Sequence, residues 1–186
     1  MRAHWDRRLR RIKEIAEAIG EKARDQGQEQ FGNTDEDKEQ RAMADILHRV
    51  GVKGPAPDKV YHALTTLDGL SGWWIEKTSG NPALGGVIEN PIGLDMKVTE
   101  LDPGRLVRWE ATGGPAEWDG TSIRFELRQH GDWTTVLFKQ EGWHEPTELM
   151  HHSSTKWATF LISLKQLVET GAGTPHPRSV TIGDWP

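Results

Sequence analysis

Toward the C-terminal end of the chain, Trp157, Phe160, Leu161, Leu164, Leu167 and Val168 recur at steps of three and four with polar residues between them. That spacing lines them along one side of an α-helix, so one face of the segment must be buried. Met150, Ser153 and Ser154 continue the stripe upstream. The helix start therefore falls near Pro146 or Thr147, where proline is tolerated because a first-turn N–H has no partner in any case. Gly171 and Gly173 read as C-cap residues, and Pro175 and Pro177 forbid continuation. Burying such side chains contributes roughly 1.5–3 kcal/mol each, which makes this helix a principal source of stability. It needs a broad apolar partner.

The middle of the chain supplies one. Residues 46–52 alternate and carry branched side chains, which predicts a first strand; GPAP then breaks it and presets a helix start at Pro57, with Val60, Tyr61 and Leu64 on one face. A second short helix or turn is expected around residues 67–72. Strands are predicted over 75–79, 86–90, 94–101, 105–111, 121–129 and 133–141, separated by NP, NPIG, DPG, GGP and HGD breakers. Short connections make them an antiparallel meander. In 121–129, Ile123, Phe125 and Leu127 point one way and Arg124, Glu126 and Arg128 the other, the signature of a sheet with one wet face. Val107, Trp109 and Ala111, then Val136 and Phe138, repeat the pattern. The prediction is an α+β fold: a curved antiparallel sheet gripping the long C-terminal helix.

Residues 1–44 form a separate unit. Trp5, Leu9, Ile12, Ala16, Ile19 and Ala23 fall at helical steps, an amphipathic helix that Gly27 would end. Residues 26–40 are polar and read as a linker. The helix is either a docking element, which would allow a homodimer through it, or a surface arm of its own domain. A stripe this short is marginal in isolation, which favours the arm.

The composition narrows the function. A chain of 186 residues with net charge −5 lacks the basic surface of a nucleic-acid binder. Without cysteine it can have neither disulfides nor a thiol nucleophile. No stretch approaches the ~18 consecutive apolar residues of a membrane span, and the N-terminus has no signal-peptide pattern, so a cytoplasmic location is the default expectation. Nine tryptophans stand against one tyrosine and four phenylalanines, and those indoles must line something.

Five segments in order, APDKVYHALTTLDGLSGWW, LDPGRLVRWE, EWDGTSIRFEL, TTVLFKQEGW and KWATFLISLKQLVETGAGTP, resemble the START-like (SRPBCC) superfamily. Within it the likeness is to bacterial stand-alone homologues of the C-terminal domain of the activator of heat-shock-protein-90 ATPase, grouped with polyketide-cyclase-like proteins. The resemblance spans residues 45–186. It implies a helix-grip (START-like) fold with a cavity between sheet and C-terminal helix that holds an apolar or amphipathic small molecule; it leaves the chemistry open, because one fold hosts many functions.

Trp73, Trp74, Trp109, Trp118 and Trp157 sit where that cavity wall would be, and an indole offers an apolar face plus one N–H. Some of them serve only as core. Phe125, Phe138, Met150 and Leu161 join them as apolar lining, with Gln140, Ser153 and Ser154 as orienting polar groups. His144, Glu148 and His151 have the spacing of metal ligands, but Pro146 interrupts the helix they need and no HExxH is present, so no metal and no cofactor is assigned. His144 is the least unsuitable acid–base candidate. The preferred function is binding of a small hydrophobic or amphipathic ligand. The alternatives are a cyclase-, aromatase- or hydrolase-like enzyme using the same cavity with His144 or a neighbour as acid–base group, and a chaperone-associated interaction protein acting through the N-terminal helix.

Overall fold

The computed structural model describes residues 44–54 and 57–183. The helix and linker expected in the first 40 residues lie outside the described residues, and with them the reading of a homodimer through that helix. The described elements run β1 (Ala44–Lys53), α1 (Pro57–Thr65), α2 (Leu67–Trp73), β2 (Ser79–Gly80), β3 (Val87–Glu89), β4 (Met96–Asp102), β5 (Leu106–Ala111), a 3-10 turn (Ala116–Trp118), β6 (Ser122–His130), β7 (Trp133–Trp143) and α3 (Glu148–Thr170). The seven strands form one antiparallel sheet in the order β1-β7-β6-β5-β4-β3-β2.

Register puts the apolar side chains on one face. Phe125 of β6 is opposite Phe138 of β7 and Val107 of β5, while Ile123 is opposite Gln140 and Trp109. On the far side of β7, Ile46, His48 and Val50 of β1 face Gln140, Phe138 and Val136. The opposite face carries charge: Arg108, Ser122 and Lys139 surround Glu141, and Lys139 also pairs with Asp45 at 2.9 Å. α3 lies on the apolar face, burying Trp157, Phe160, Leu161 and Leu164. This is the α+β helix-grip arrangement.

α3 begins where Thr147 caps it, its hydroxyl accepting the Met150 N–H at 3.3 Å, and ends at Gly171 with φ 83°. Gly173 is not a cap. It sits where the chain turns back against α2 and the middle of α3, so close that a Cβ would collide with the Gly72 carbonyl and come within 2.9 Å of Ser163 Oγ.

The strand expected over 75–79 does not form. Ile75 makes an isolated parallel bridge to His176, Lys77 adopts φ 60°, and only Ser79–Gly80 pairs with β3. The reason lies in the tail. His176 N–H donates to the Trp74 carbonyl and Glu76 N–H to the His176 carbonyl, both at 2.9 Å, so the returning chain takes the backbone partners a sheet neighbour would have used.

Candidate functional site

The groove between α3 and the loops at one end of the sheet opens into a cavity of about 1020 Å³. α3 contributes Leu149, Ser153, Lys156, Trp157 and Phe160 to its wall, since these positions share one flank at steps of three and four. The loop before β4 brings Ile92 and Leu94, and the 3-10 turn brings Trp118. The tail closes the far side with His176, Ser179 and Ile182. The tail is held there by Thr174 N–H donating to Ser163 Oγ at 2.8 Å, by Lys156 Nζ donating to Ser179 Oγ at 2.9 Å, and by the Arg178–Glu76 pair at 2.5 Å.

The floor is aromatic. Trp157 lies nearly parallel to both Trp74 and Trp118, with centroids 6.1 and 6.3 Å away and planes 16° and 21° apart. Its other neighbours are Phe138 at 4.7 Å and Phe160 at 6.0 Å. Trp118 is brought to this place by a short turn: Pro115 starts it, Thr121 Oγ1 donates to the Trp118 carbonyl at 2.8 Å, and Gly114 and Gly120 supply positive φ on either side.

The indole N–H groups divide into two kinds. Trp73 donates to the Ala63 carbonyl at 3.0 Å, and Trp157 to Gln140 Oε1 at 2.9 Å. Among the described residues, those of Trp74, Trp118 and Trp143 are buried with no acceptor. Trp74 and Trp118 border the cavity and Trp143 does not.

Four of the candidates named from sequence therefore border the cavity: Trp74, Trp118, Ser153 and Trp157. The others are elsewhere. Trp73, Trp109, Phe125, Phe138 and Leu161 are packed in the core and do not line the cavity. Gln140 is fully buried and its amide is already used: Oε1 accepts from Trp157, and Nε2 donates to Thr121 Oγ1 at 3.4 Å. Met150 packs against the core from one side of α3. Ser154 faces β1, where His48 Nε2 lies 2.9 Å from its carbonyl and 3.3 Å from its hydroxyl. His144 is exposed in the bend after β7 and does not border the cavity. Among the described residues no three His, Asp or Glu side chains converge as metal ligands.

Of the histidine group near the helix start read from the sequence as a polar cavity mouth or exposed helix start, His152 borders the cavity. Sequence reasoning missed Lys156 and the tail: Lys156 was legible on the flank 149, 152, 153, 156, 160 beside the buried stripe, and the tail had no periodic signal. Burial holds the Lys156 ammonium below the ordinary lysine range.

With this geometry in view, the likeness to known proteins can be placed. Residues 56–169 match the family described as "Activator of Hsp90 ATPase homolog 1-like protein". The chain belongs to that family. Among solved structures, the Aha1 dimer of Colwellia psychrerythraea is 44% identical, with a TM-score of 0.64, over 70% of this chain and 99% of that one. CalU16 of Micromonospora echinospora is 21% identical with a TM-score of 0.55, over 67% of this chain and 73% of that one. Protein MLL2253 of Mesorhizobium loti is 21% identical with a TM-score of 0.56, over 67% of this chain and 96% of its own length. The two more distant likenesses show the shared fold. No curated protein matches the chain. As an activator-homologue chain of the START-like superfamily, it carries the helix-grip fold and, among the described residues, no helix long and apolar enough to cross a membrane.

Proposed function

We propose that the chain binds a small apolar or amphipathic molecule in the cavity between α3, the 3-10 turn and the C-terminal tail. The observation that carries this reading is a space of about 1020 Å³ whose wall joins Ile92, Leu94, Trp118, Leu149, Trp157 and Phe160 to a few polar side chains. Small-molecule sites hold roughly 300–1,000 Å³ and combine apolar walls with a few oriented polar groups, and this cavity has the same character. A ligand with a flat apolar body would lie against that aromatic lining. Ser153 supplies a further hydroxyl in the wall.

For the enzyme alternative, His144 is exposed away from the cavity, whereas its neighbour His152 borders it. The chaperone-associated alternative drew on residues outside those described.

The direct test is a native mass spectrum of gently purified protein beside a denatured control. A discrete excess mass that leaves on denaturation is the expected result and gives the ligand's mass. A bare mass that stays bare after incubation with a cell extract of small molecules would count against the reading.

A further inference from the structure

The polar lining of the cavity is one-sided. Apart from the indoles, its hydrogen-bonding side chains among the described residues are His152, Ser153, Lys156, His176, Ser179 and Thr181, and no described aspartate or glutamate borders it. This holds in a chain of net charge −5, in which carboxylates outnumber cationic side chains. A cationic ligand would find no counter-charge in the wall.

Among the described residues, Lys156 is the one lysine or arginine in that wall. Its Nζ donates to Ser179 Oγ at 2.9 Å and to the Val180 carbonyl at 3.3 Å, and lies 5.2 Å from the Phe160 ring centroid. An ammonium has three donors, and these two neutral acceptors account for two of them. Among the described residues it has no carboxylate partner, and burial alone displaces its titration downward. A cation partly withdrawn from water and set against neutral groups is under-compensated, and an anion is what compensates it most strongly. Among the described residues, the charge in the wall is therefore of one sign.

We propose that the cavity selects an amphipathic anion: a flat apolar body lying on Trp157 and Trp118, with a carboxylate or similar oxyanion on the Lys156 ammonium. The assignment rests on the reading of the cavity as a ligand site and specifies the ligand's chemical class. A neutral ligand of the same shape would fill the aromatic floor and leave Lys156 as it is. A carboxylate accepts from the ammonium as a charged partner, whereas an ester carbonyl accepts only as a neutral and weaker one.

The test uses the full chain and two matched probes, anthracene-2-carboxylate and its methyl ester, titrated with quenching of tryptophan emission as the readout. The acid is expected to bind at least about tenfold more tightly than the ester, the scale of one hydrogen bond to a charged group. Lys156→Met should abolish that preference by weakening the acid alone, and Lys156→Arg should retain most of it. Equal affinities in the unaltered chain, or a preference that survives Lys156→Met, overturn the anion assignment and leave the cavity reading standing. Failure of both probes to bind the unaltered chain overturns both. The comparison of acid with ester needs no variant, so a folding defect in Lys156→Met cannot shelter the proposal.

Discussion

Trp157 Nε1 donates a 2.9 Å hydrogen bond to Gln140 Oε1, tying the middle of α3 to the apolar face of β7. Gln140 is completely buried, and Trp157 is 2% exposed. The bond therefore lies in low dielectric, where leaving either partner unmatched is expensive. It also fixes the indole that forms the cavity floor.

Gln140→Leu keeps the apolar volume and strands the Trp157 N–H, so it should destabilise the fold by about 1–3 kcal/mol. Trp157→Phe strands the amide instead. The pair should be non-additive in a double-mutant cycle read by urea unfolding, with a coupling on the order of 1 kcal/mol. Strict additivity would mean that the bond contributes nothing in solution.

Trp157→Ala should cost about 3–5 kcal/mol, because the ring is packed among Trp74, Trp118, Phe138 and Phe160 and its loss opens a large void. Trp118 sits at the cavity edge in a short turn, so Trp118→Ala is the better probe of binding. Thermal melts of the two variants should rank Trp157→Ala well below Trp118→Ala, and equal losses would contradict this division of roles.

Thr147→Ala removes the hydroxyl that accepts the Met150 N–H at the start of α3. The expected cost is about 1 kcal/mol, measured as a shift in the urea midpoint. Ser at this position should restore it.

Gly171→Ala and Gly173→Ala should fail for different reasons. At Gly171, with φ 83° and open space around it, the loss is backbone strain of about 1–2 kcal/mol. At Gly173 the added methyl meets the Gly72 carbonyl and Ser163 and must push the tail away, costing about 1–3 kcal/mol. Hydrogen exchange separates them. Only Gly173→Ala should expose the Thr174 and His176 amides, and protection unchanged there would refute the close approach.

Acid should weaken the fold through Glu141. Burial opposes its ionisation, but the hydrogen bond from Lys139, the charges of Arg108 and Lys139 and the Ser122 hydroxyl outweigh this and hold its pKa below the ordinary 4.5. A carboxylate with a lowered folded-state pKa binds fewer protons folded than unfolded. Its stabilisation is therefore complete above the ordinary value and disappears as pH falls through the lowered one. Glu169 acts in the same sense through hydrogen bonds from the Lys165 ammonium and the Lys53 amide. Melting temperatures should fall on acidification below about pH 4.5, and Glu141→Gln should flatten that decline. A decline as steep in the variant would assign the acid sensitivity to other groups.

Most of the architecture was legible in the chain because it is written in local periodicity. Ile123, Phe125 and Leu127 alternate with charged residues, and the register confirms which face they share. The stripe from Trp157 to Leu164 identified the gripped helix and its buried face. The failed strand at 75–79 shows the limit of such reasoning. Its residues are compatible with a strand, but their backbone groups were claimed by His176, a hundred residues away.

The site was legible only in part, and for the same reason. That tryptophans surround Trp157 follows from their number and their places on apolar faces. Which indole N–H is satisfied does not, since Trp73 finds a carbonyl ten residues back, Trp157 finds Gln140, and Trp74, Trp118 and Trp143 find no acceptor among the described residues. The sequence alone determined the alternation, the helix stripe and its caps, since each depends on neighbours within a turn or a strand. Only the tertiary structure decided that Gln140 is a structural partner, that the tail walls a cavity and that Lys156 faces it with no carboxylate partner among the described residues, because each of these depends on which distant group arrives first at a buried donor.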